Sequence, residues 1–341
     1  MTEFRDREYL GEYDLDVELF DKFVDEIEDV IPLRKVYIAK TNIGDIVLKK
    51  IDYSISDLRF INSVIEYVKN NGFNNIFSFI PSKNDELFVK WNNDIYCAMT
   101  HINGRECKFS NPVDLQISSK ALARFHNATL NFPINLKVRD RRGTLINDFY
   151  HRINDLVSYK EMVMKYRYKN EFDTIFMDNV DYYLKEIQKS IGILENSKYL
   201  SLCKDKEACA ICHHDLAYHN IMIVGEEGYF VDLDYSIFDL RTHDLCNFMN
   251  KVMKECAFNI DTSKDILREY SKESRLRKSE IEVLYGMLVF PEDFYSVCKS
   301  YYEREKSWEY DLFLKKVTKK AGYKEERGEF LEKFKEIRVL G

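Results

Sequence analysis

The sequence predicts an α+β protein in which a small antiparallel sheet comes first and a larger, mainly helical part follows. Three observations carry this. Short strand patterns with hairpin connections crowd the first hundred residues. Amphipathic patterns at helical spacing fill most of the chain beyond residue 110. A further strand–turn–strand pattern, residues 210–234, interrupts the helical part and holds the densest set of chemistry-bearing residues. The 341 residues, 45% of them hydrophobic, suffice for one large or two medium domains with a substantial core. A charged fraction of 32%, balanced to a net −7, argues against a general nucleic-acid binder. No apolar run nears the roughly 20 residues needed to span a bilayer, and the first eight residues hold no apolar signal core. The expectation is cytoplasmic synthesis, with neither nucleic acid nor membrane as a partner.

In chain order, residues 1 to about 15 are polar and read as a loose arm. From Asp16 to Asp29 the apolar Val17, Phe20, Val24 and Ile27 recur on one helical face, and Pro32 closes that helix. Residues 36–39 and 46–51 are strand patterns joined by a hairpin loop at 41–45. Lys49 and Lys50 lie near the end of the second pattern; alternation sends them to opposite faces, and a lysine pair at a strand end is also what a solvated edge looks like. Ser54-x-x-Asp57 is a capping box that opens a helix burying Leu58, Ile61, Ile65 and Val68, with Gly72 past its end. Residues 87–91 and 95–99 flank the turn 92–94 as another hairpin. A connection at 100–105 follows, and the domain boundary is placed there, giving domains 1–103 and 104–341.

Ser110-Asn111-Pro112 starts a helix that runs through Leu115, Leu122 and Phe125 to His126, read as a core or surface histidine. Residues 137–142 hold four basic residues around Asp140, an exposed loop or an entry for an anionic substrate. Helical patterns occupy about 147–166, 171–195, 261–273, 278–289 and 291–304, the second burying Phe176, Val180, Tyr183, Ile187 and Leu194. Tyr301, Tyr302, Trp308 and Tyr310 form an aromatic cluster read as packing.

The chemistry concentrates between His213 and Asp244. His213-x-Asp215 is followed, after four residues, by Asn220; an apolar run, a turn at 226–228 and a second apolar run ending on Asp232 come next. A hairpin of this length brings Asn220, at the start of one strand, beside Asp232, at the end of the other, since each residue rises about 3.3 Å. An amide oxygen and a carboxylate so placed suit a hard cation such as Mg²⁺, which leaves positions for phosphate oxygens. Asp215 is then free to face a hydroxyl, and these are the parts of a phosphoryl-transfer site. The eight cysteines have no framework spacing and read as reduced core residues. Cys209-x-x-Cys212-His213 matches a haem-attachment pattern, but His213 already belongs to the loop motif and no second ligand pair supports zinc. Cys209 and Cys212 are therefore assigned to a strand entering the loop.

The spacing resembles the catalytic loop and metal-binding Asp of protein-kinase-like enzymes, in the aminoglycoside phosphotransferase and choline kinase branch. It is nearer still to the CotS family of spore coat proteins, whose His-x-Asp-Phe/Leu-Ala-Tyr-x-Asn, Asp-x-Asp-Tyr and Asp-Leu patterns are similar to residues 213–220, 232–235 and Asp244-Leu245. The likeness covers about residues 20–320 and implies a two-lobed protein-kinase-like fold: a small lobe with an antiparallel sheet and a mainly helical large lobe. It also implies an ATP- and Mg²⁺-dependent phosphotransferase acting on a hydroxyl of a small molecule or sugar, assembled into the spore coat among other coat proteins.

On that resemblance Lys49, with Lys50 as competitor, anchors the ATP phosphates and the backbone from Thr100 to Ile102 meets the adenine edge. Asp215 orients and deprotonates the hydroxyl, while Asn220 and Asp232 hold Mg²⁺. Glu66 is the acidic partner of the strand lysine. Asp234 assists a second metal position or hydrogen-bonds the loop, and Asp244 satisfies loop amides. The usual Gly-x-Gly-x-x-Gly phosphate loop is missing, a departure also typical of the CotS family, because residues 28–35 contain Pro32 and no glycine. Only eleven residues separate Asp232 from Asp244, too few for a protein-kinase activation segment, which favours small acceptors. A non-catalytic coat component that keeps the fold is the alternative.

Overall fold

A computed structural model describes residues 17–34, 36–42, 44–133 and 139–337. The arm expected for residues 1 to 15 and Lys137 of the basic loop lie outside them. The described residues cluster into two compact units, one running to Cys107 and including Tyr218–Tyr235, the other comprising Lys108–Ala217 and the chain from Ser236 onward. The sequence reading counts segment 218–235 with the second domain; it clusters with the first.

The first unit is built on a six-stranded antiparallel sheet. Strands β1 (Ile27–Leu33), β2 (Val36–Thr41), β3 (Ile46–Ile51), β4 (Phe79–Ile80), β5 (Val89–Trp91) and β6 (Asp94–Thr100) are arranged β1-β2-β3-β6-β4, with β5 also on β6. Val30, Ala39, Ile46, Leu48, Tyr96 and Ala98 pack on one face with Leu19, Phe20, Phe23 and Val24. Two-residue alternation then leaves Val36, Ile38, Val47 and Lys49 on the other face. The hairpin between β5 and β6 turns through Asn92 and Asn93, both at positive φ (47° and 69°), as a two-residue turn requires.

The helix expected over residues 16–29 is corrected. Helix α1 spans only Val17–Phe20, and the amides of Phe23 and Val24 turn back onto the Phe20 carbonyl. Phe23 and Val24 thus enter the core from a turn, and Ile27 begins a strand. Pairing with β2 (Ile31↔Ile38, Leu33↔Val36) overrides the helical periodicity, and Pro32 is tolerated because β1 is an edge strand. By contrast, α2 (Ile55–Asn70) starts where its sequence says. The Ser54 hydroxyl accepts the Asp57 amide at 3.1 Å, a cap worth about 1 kcal/mol, and Leu58, Ile61, Ile65 and Val68 are buried.

The first unit also holds a three-stranded sheet, β7 (Arg105–Glu106), β9 (Ile221–Val224) and β10 (Glu227–Phe230), in the order β10-β9-β7. Phe73 and Phe230 stack at 6.3 Å, and the Phe230 amide donates to the Asn75 carbonyl, so the chain after α2 holds β10 in place. Gly104 precedes β7 where a side chain has no room, since a Cβ there would lie 2.8 Å from the Ile223 carbonyl oxygen and from Val224 Cγ2.

The second unit is helical around one short ladder, β8 (Cys209–Cys212) against β11 (Ile237–Leu240). Its helices are α3 (Pro112–Ala128), α4 (Leu145–Met164), α5 (Glu171–Asn196), α6 (Tyr199–Leu202), α7 (Arg241–Glu255), α8 (Ile260–Glu273), α9 (Lys278–Val289), α10 (Glu292–Tyr302), α11 (Tyr310–Ala321) and α12 (Lys324–Phe334). The predicted stripe of α5 is buried, Phe176, Val180 and Ile187 completely. Among the described residues no helix is long and apolar enough to cross a membrane.

Candidate active site

In the first unit, the β9–β10 hairpin pairs Ile221 with Phe230, and the Val231 amide donates to the Asn220 carbonyl at 3.0 Å. The start of one strand is therefore tied to the end of the other, one residue short of Asp232. The turn is Gly225-Glu226 rather than residues 226–228: Val224 pairs with Glu227, Gly225 supplies the positive φ of 60°, and Gly228 lies within β10. Asp232 itself has φ 64°, an uncommon conformation for a residue with a side chain and one that concentrates at functional sites.

Lys49 settles between two carboxylates. Its Nζ lies 2.9 Å from Asp232 Oδ1 and 2.6 Å from Asp234 Oδ2, with the lysine side chain only 12% exposed. Burial alone pushes Lys49 down, but the two carboxylates outweigh it and hold the ammonium above its ordinary value. Burial and the neighbouring Asp232 lift the Asp234 carboxyl, against Lys49 and a hydrogen bond from Tyr53. Lys50 points to the other side and pairs with Asp94 at 2.6 Å on the surface. Glu66 is exposed and accepts from Asn62 Nδ2 at 2.8 Å; it does not partner Lys49, a role the structure gives to Asp232 and Asp234. The Asp232 and Asp234 carboxylates converge on Lys49, and Asn220 is buried at the start of the paired strand, tied to the other strand through its backbone carbonyl.

The Thr100 amide donates to the Ser78 carbonyl and its hydroxyl accepts the Ser78 amide, both at 2.9 Å. The His101 amide donates to Asp45, and the Ile102 carbonyl accepts from Gly104. Thr100 is thus engaged within the fold at the end of β6, and the chain comes away from the sheet at Ile102.

In the second unit, β8 leads directly into the loop carrying Asp215. The amides of His213 and His214 donate to Asp244 Oδ2 (2.5 Å) and Oδ1 (2.8 Å), and Asn247 Nδ2 donates to the His214 carbonyl. Asp244 is completely buried; burial raises its carboxyl, but His126 and the loop outweigh this and hold it low. His126 Nε2 lies 3.1 Å from Asp244 and Nδ1 lies 2.7 Å from the Tyr270 hydroxyl, so this histidine is a buried brace. Burial pushes its pKa down. His214, at φ 66°, is pushed down to about 3, chiefly by burial.

The Asp215 carboxylate receives Lys251 Nζ at 2.5 Å. Sequence reasoning missed Lys251, although the signal is present: Asp244, Asn247 and Lys251 fall on one face of α7 at helical spacing, all turned to the loop. Tyr53 was missed for want of any pattern. Burial, then Asp234, raises its hydroxyl far above the ordinary value.

Cys209 and Cys212 are buried and free in β8. Three residues apart on a strand, they face opposite sides, their sulfurs against Leu202 and Leu240 carbonyls respectively, so they form no common ligand pair with His213. The arginines of the basic loop are engaged: Arg139 with the Ser236 carbonyl, Arg141 with Asp148, Arg142 with Asp140. The aromatic cluster packs, with Tyr301 stacked on Phe172 at 3.8 Å, and borders a cavity of about 560 Å³ that includes none of the candidate residues.

A model of the family described as "Spore coat putative kinase YutH" matches residues 18–334. The chain belongs to this family. The spore-coat, kinase-like resemblance read from the sequence is borne out. The chain is 22% identical over 187 residues to the endospore coat-associated protein YutH of Bacillus subtilis (strain 168), an alignment covering about half of each protein (54%). Its fold is similar to the aminoglycoside phosphotransferase of Alicyclobacillus acidocaldarius subsp. acidocaldarius DSM 446, with a TM-score of 0.83, 16% identity and 94% and 95% of the two chains covered. Amicoumacin kinase hAmiN, in complex with AMP-PNP, Ca²⁺ and Ami, is also similar, with a TM-score of 0.61 at 14% identity over 97% and 94% of the chains. The fold is protein-kinase-like, as expected.

Proposed function

We propose that this spore-coat family member is an ATP- and Mg²⁺-dependent phosphotransferase that phosphorylates a hydroxyl of a small molecule or sugar. It is made in the cytoplasm and assembled with other proteins into the spore coat. The observation that carries the reading is the Lys49–Asp232–Asp234 set, which joins a strand lysine to a hairpin aspartate 183 positions further on. Lys49 anchors phosphates, Asn220 and Asp232 hold Mg²⁺, and the backbone at Thr100 to Ile102 borders the adenine, with Ile102 favoured because the Thr100 amide is engaged. The apolar face around Lys49, with Val36, Ile38 and Val47 half-buried, suits a base. Bound Mg²⁺ supplies charge neutralisation at the phosphates.

Asp215 orients the acceptor hydroxyl and takes its proton. Lys251 holds the carboxylate in one rotamer until the acceptor arrives. Asp244 shapes the loop that presents Asp215 by taking both histidine amides.

Thermal unfolding with and without Mg-ATP tests the reading. At a hundredfold excess over the dissociation constant the nucleotide adds about 2.7 kcal/mol. A shift of several degrees that vanishes in Asp232→Ala is expected. No shift at millimolar nucleotide moves the assignment to the non-catalytic coat component, which the glycine-free β1–β2 turn favours.

A further inference from the structure

Beside Asp215, among the described residues of the second unit, three lysines pair with two carboxylates. Lys251 takes Asp215. One turn along the same face of α7, Lys254 reaches Asp293 Oδ1 at 2.9 Å, and Lys320 of α11 reaches that same oxygen at 2.7 Å. Residues three apart on a helix stand about 5–6 Å apart at Cβ, so Lys254 is within a small molecule's length of the Lys251–Asp215 pair. Two neighbouring arginines are paired with other carboxylates: Arg152 with Glu292, and Arg327 with Glu186 at 3.3 Å. Asp293 serves two ammonium groups, so among the described residues Lys251, Lys254 and Lys320 carry one charge more than the Asp215 and Asp293 they pair with, on Lys254 and Lys320 side chains 24% and 20% exposed.

Burial pushes Lys320 down despite Asp293, so a second anion there meets a poorly solvated ammonium. A small cavity of about 30 Å³, enough for one water-sized group, lies on the Lys320 side of this pair, bordered by Lys320 and Arg327 and by the carboxylates Glu292 and Asp293.

We propose that Lys254 and Lys320 recognise an anionic group on the acceptor, so that the compound phosphorylated at Asp215 is a hydroxy acid or a hydroxyl-bearing phosphate rather than an amine. The acceptor role rests on the phosphotransferase reading; the anion site does not. The charge pattern sets the preference: a cationic acceptor meets three lysines around two carboxylates, whereas an anion relieves the excess and leaves Asp293 its second partner.

Isothermal titration of the full chain with four three-carbon compounds tests this: glycerol, glycerate, glycerol 3-phosphate and 3-amino-1,2-propanediol. At least one anion is expected to bind about tenfold or more tightly than glycerol and the amine. That preference falls below about threefold in Lys254→Ala and returns in Lys254→Arg, with folding checked by the unfolding midpoint of each variant. Equal binding of all four, tighter binding of the amine, binding of neither anion, or an unchanged preference in Lys254→Ala overturns the proposal. Glycerate against glycerol 3-phosphate identifies which anion is taken. ADP release with Mg-ATP is scored separately, so that anion binding without turnover removes the phosphotransferase reading and leaves the anion site standing.

Discussion

Asp244→Asn isolates the carboxylate that shapes the loop carrying Asp215. Asp244 Oδ2 takes the His213 amide and His126 Nε2, and Oδ1 takes the His214 amide. An asparagine offers one oxygen and one donor. Its least damaging orientation keeps the oxygen at Oδ2 and turns the NH₂ group against the His214 amide. One hydrogen bond to a charged acceptor is then lost, about 1.5–3 kcal/mol, and the two that remain weaken to neutral ones, about 0.5–1 kcal/mol each. The sum is about 2.5–5 kcal/mol, and its lower part, about 3 kcal/mol, is taken because the loop can relax around the lost bond. With a urea slope of about 3 kcal/mol/M for a chain of this size, the midpoint falls by about 1 M at unchanged slope. Circular dichroism through a urea titration reads it directly. A midpoint within about 0.2 M of wild type refutes the argument that these three bonds hold the loop.

Lys49→Met removes the ammonium that Asp232 and Asp234 share and should destabilise the protein by about 2 kcal/mol, whereas Lys50→Met, which breaks an exposed pair with Asp94, should change it by less than about 0.5 kcal/mol in the same titration. His126 and His214 are both depressed by burial below the ordinary 6.5, so the stability they contribute is complete above pH 6.5 and is lost as pH falls toward their folded values. His214→Asn, which tolerates the positive φ, should flatten the midpoint-against-pH curve between about pH 6 and 3, where a wholly unchanged curve would remove His214 as a contributor. Asp215→Asn should lower turnover by about 10² to 10⁴ with the Mg-ATP thermal shift intact, and equal turnover would take Asp215 out of the role of base.

What was legible in the sequence is what depends on near neighbours. The strand–turn–strand around Asn220 and Asp232, the Ser54 cap and the buried stripe of α5 are each fixed by spacing within a dozen or so residues. The choice of Lys49 over Lys50 was not, because both faces of a strand read alike until a core packs on one; here Ala39, Ile46, Leu48 and Ala98 take the Lys50 side. Glu66 failed for a related reason: an exposed helical glutamate has the same local pattern whether or not it meets a lysine. Residues 16–29 misled because Val24 and Ile27 keep helical spacing by accident while their burial comes from a turn and from β2. Lys251 was hidden by distance, 36 positions from the carboxylate it holds.

Strands β1 and β2 pair as far as Leu33 and Val36, with Arg34 at φ 56° just beyond the last pair. Pairing carried that close to the connection ties the edge strand to its neighbour along almost its whole length, so the β1 amide protons should exchange with solvent together with those of β2 rather than fray ahead of them.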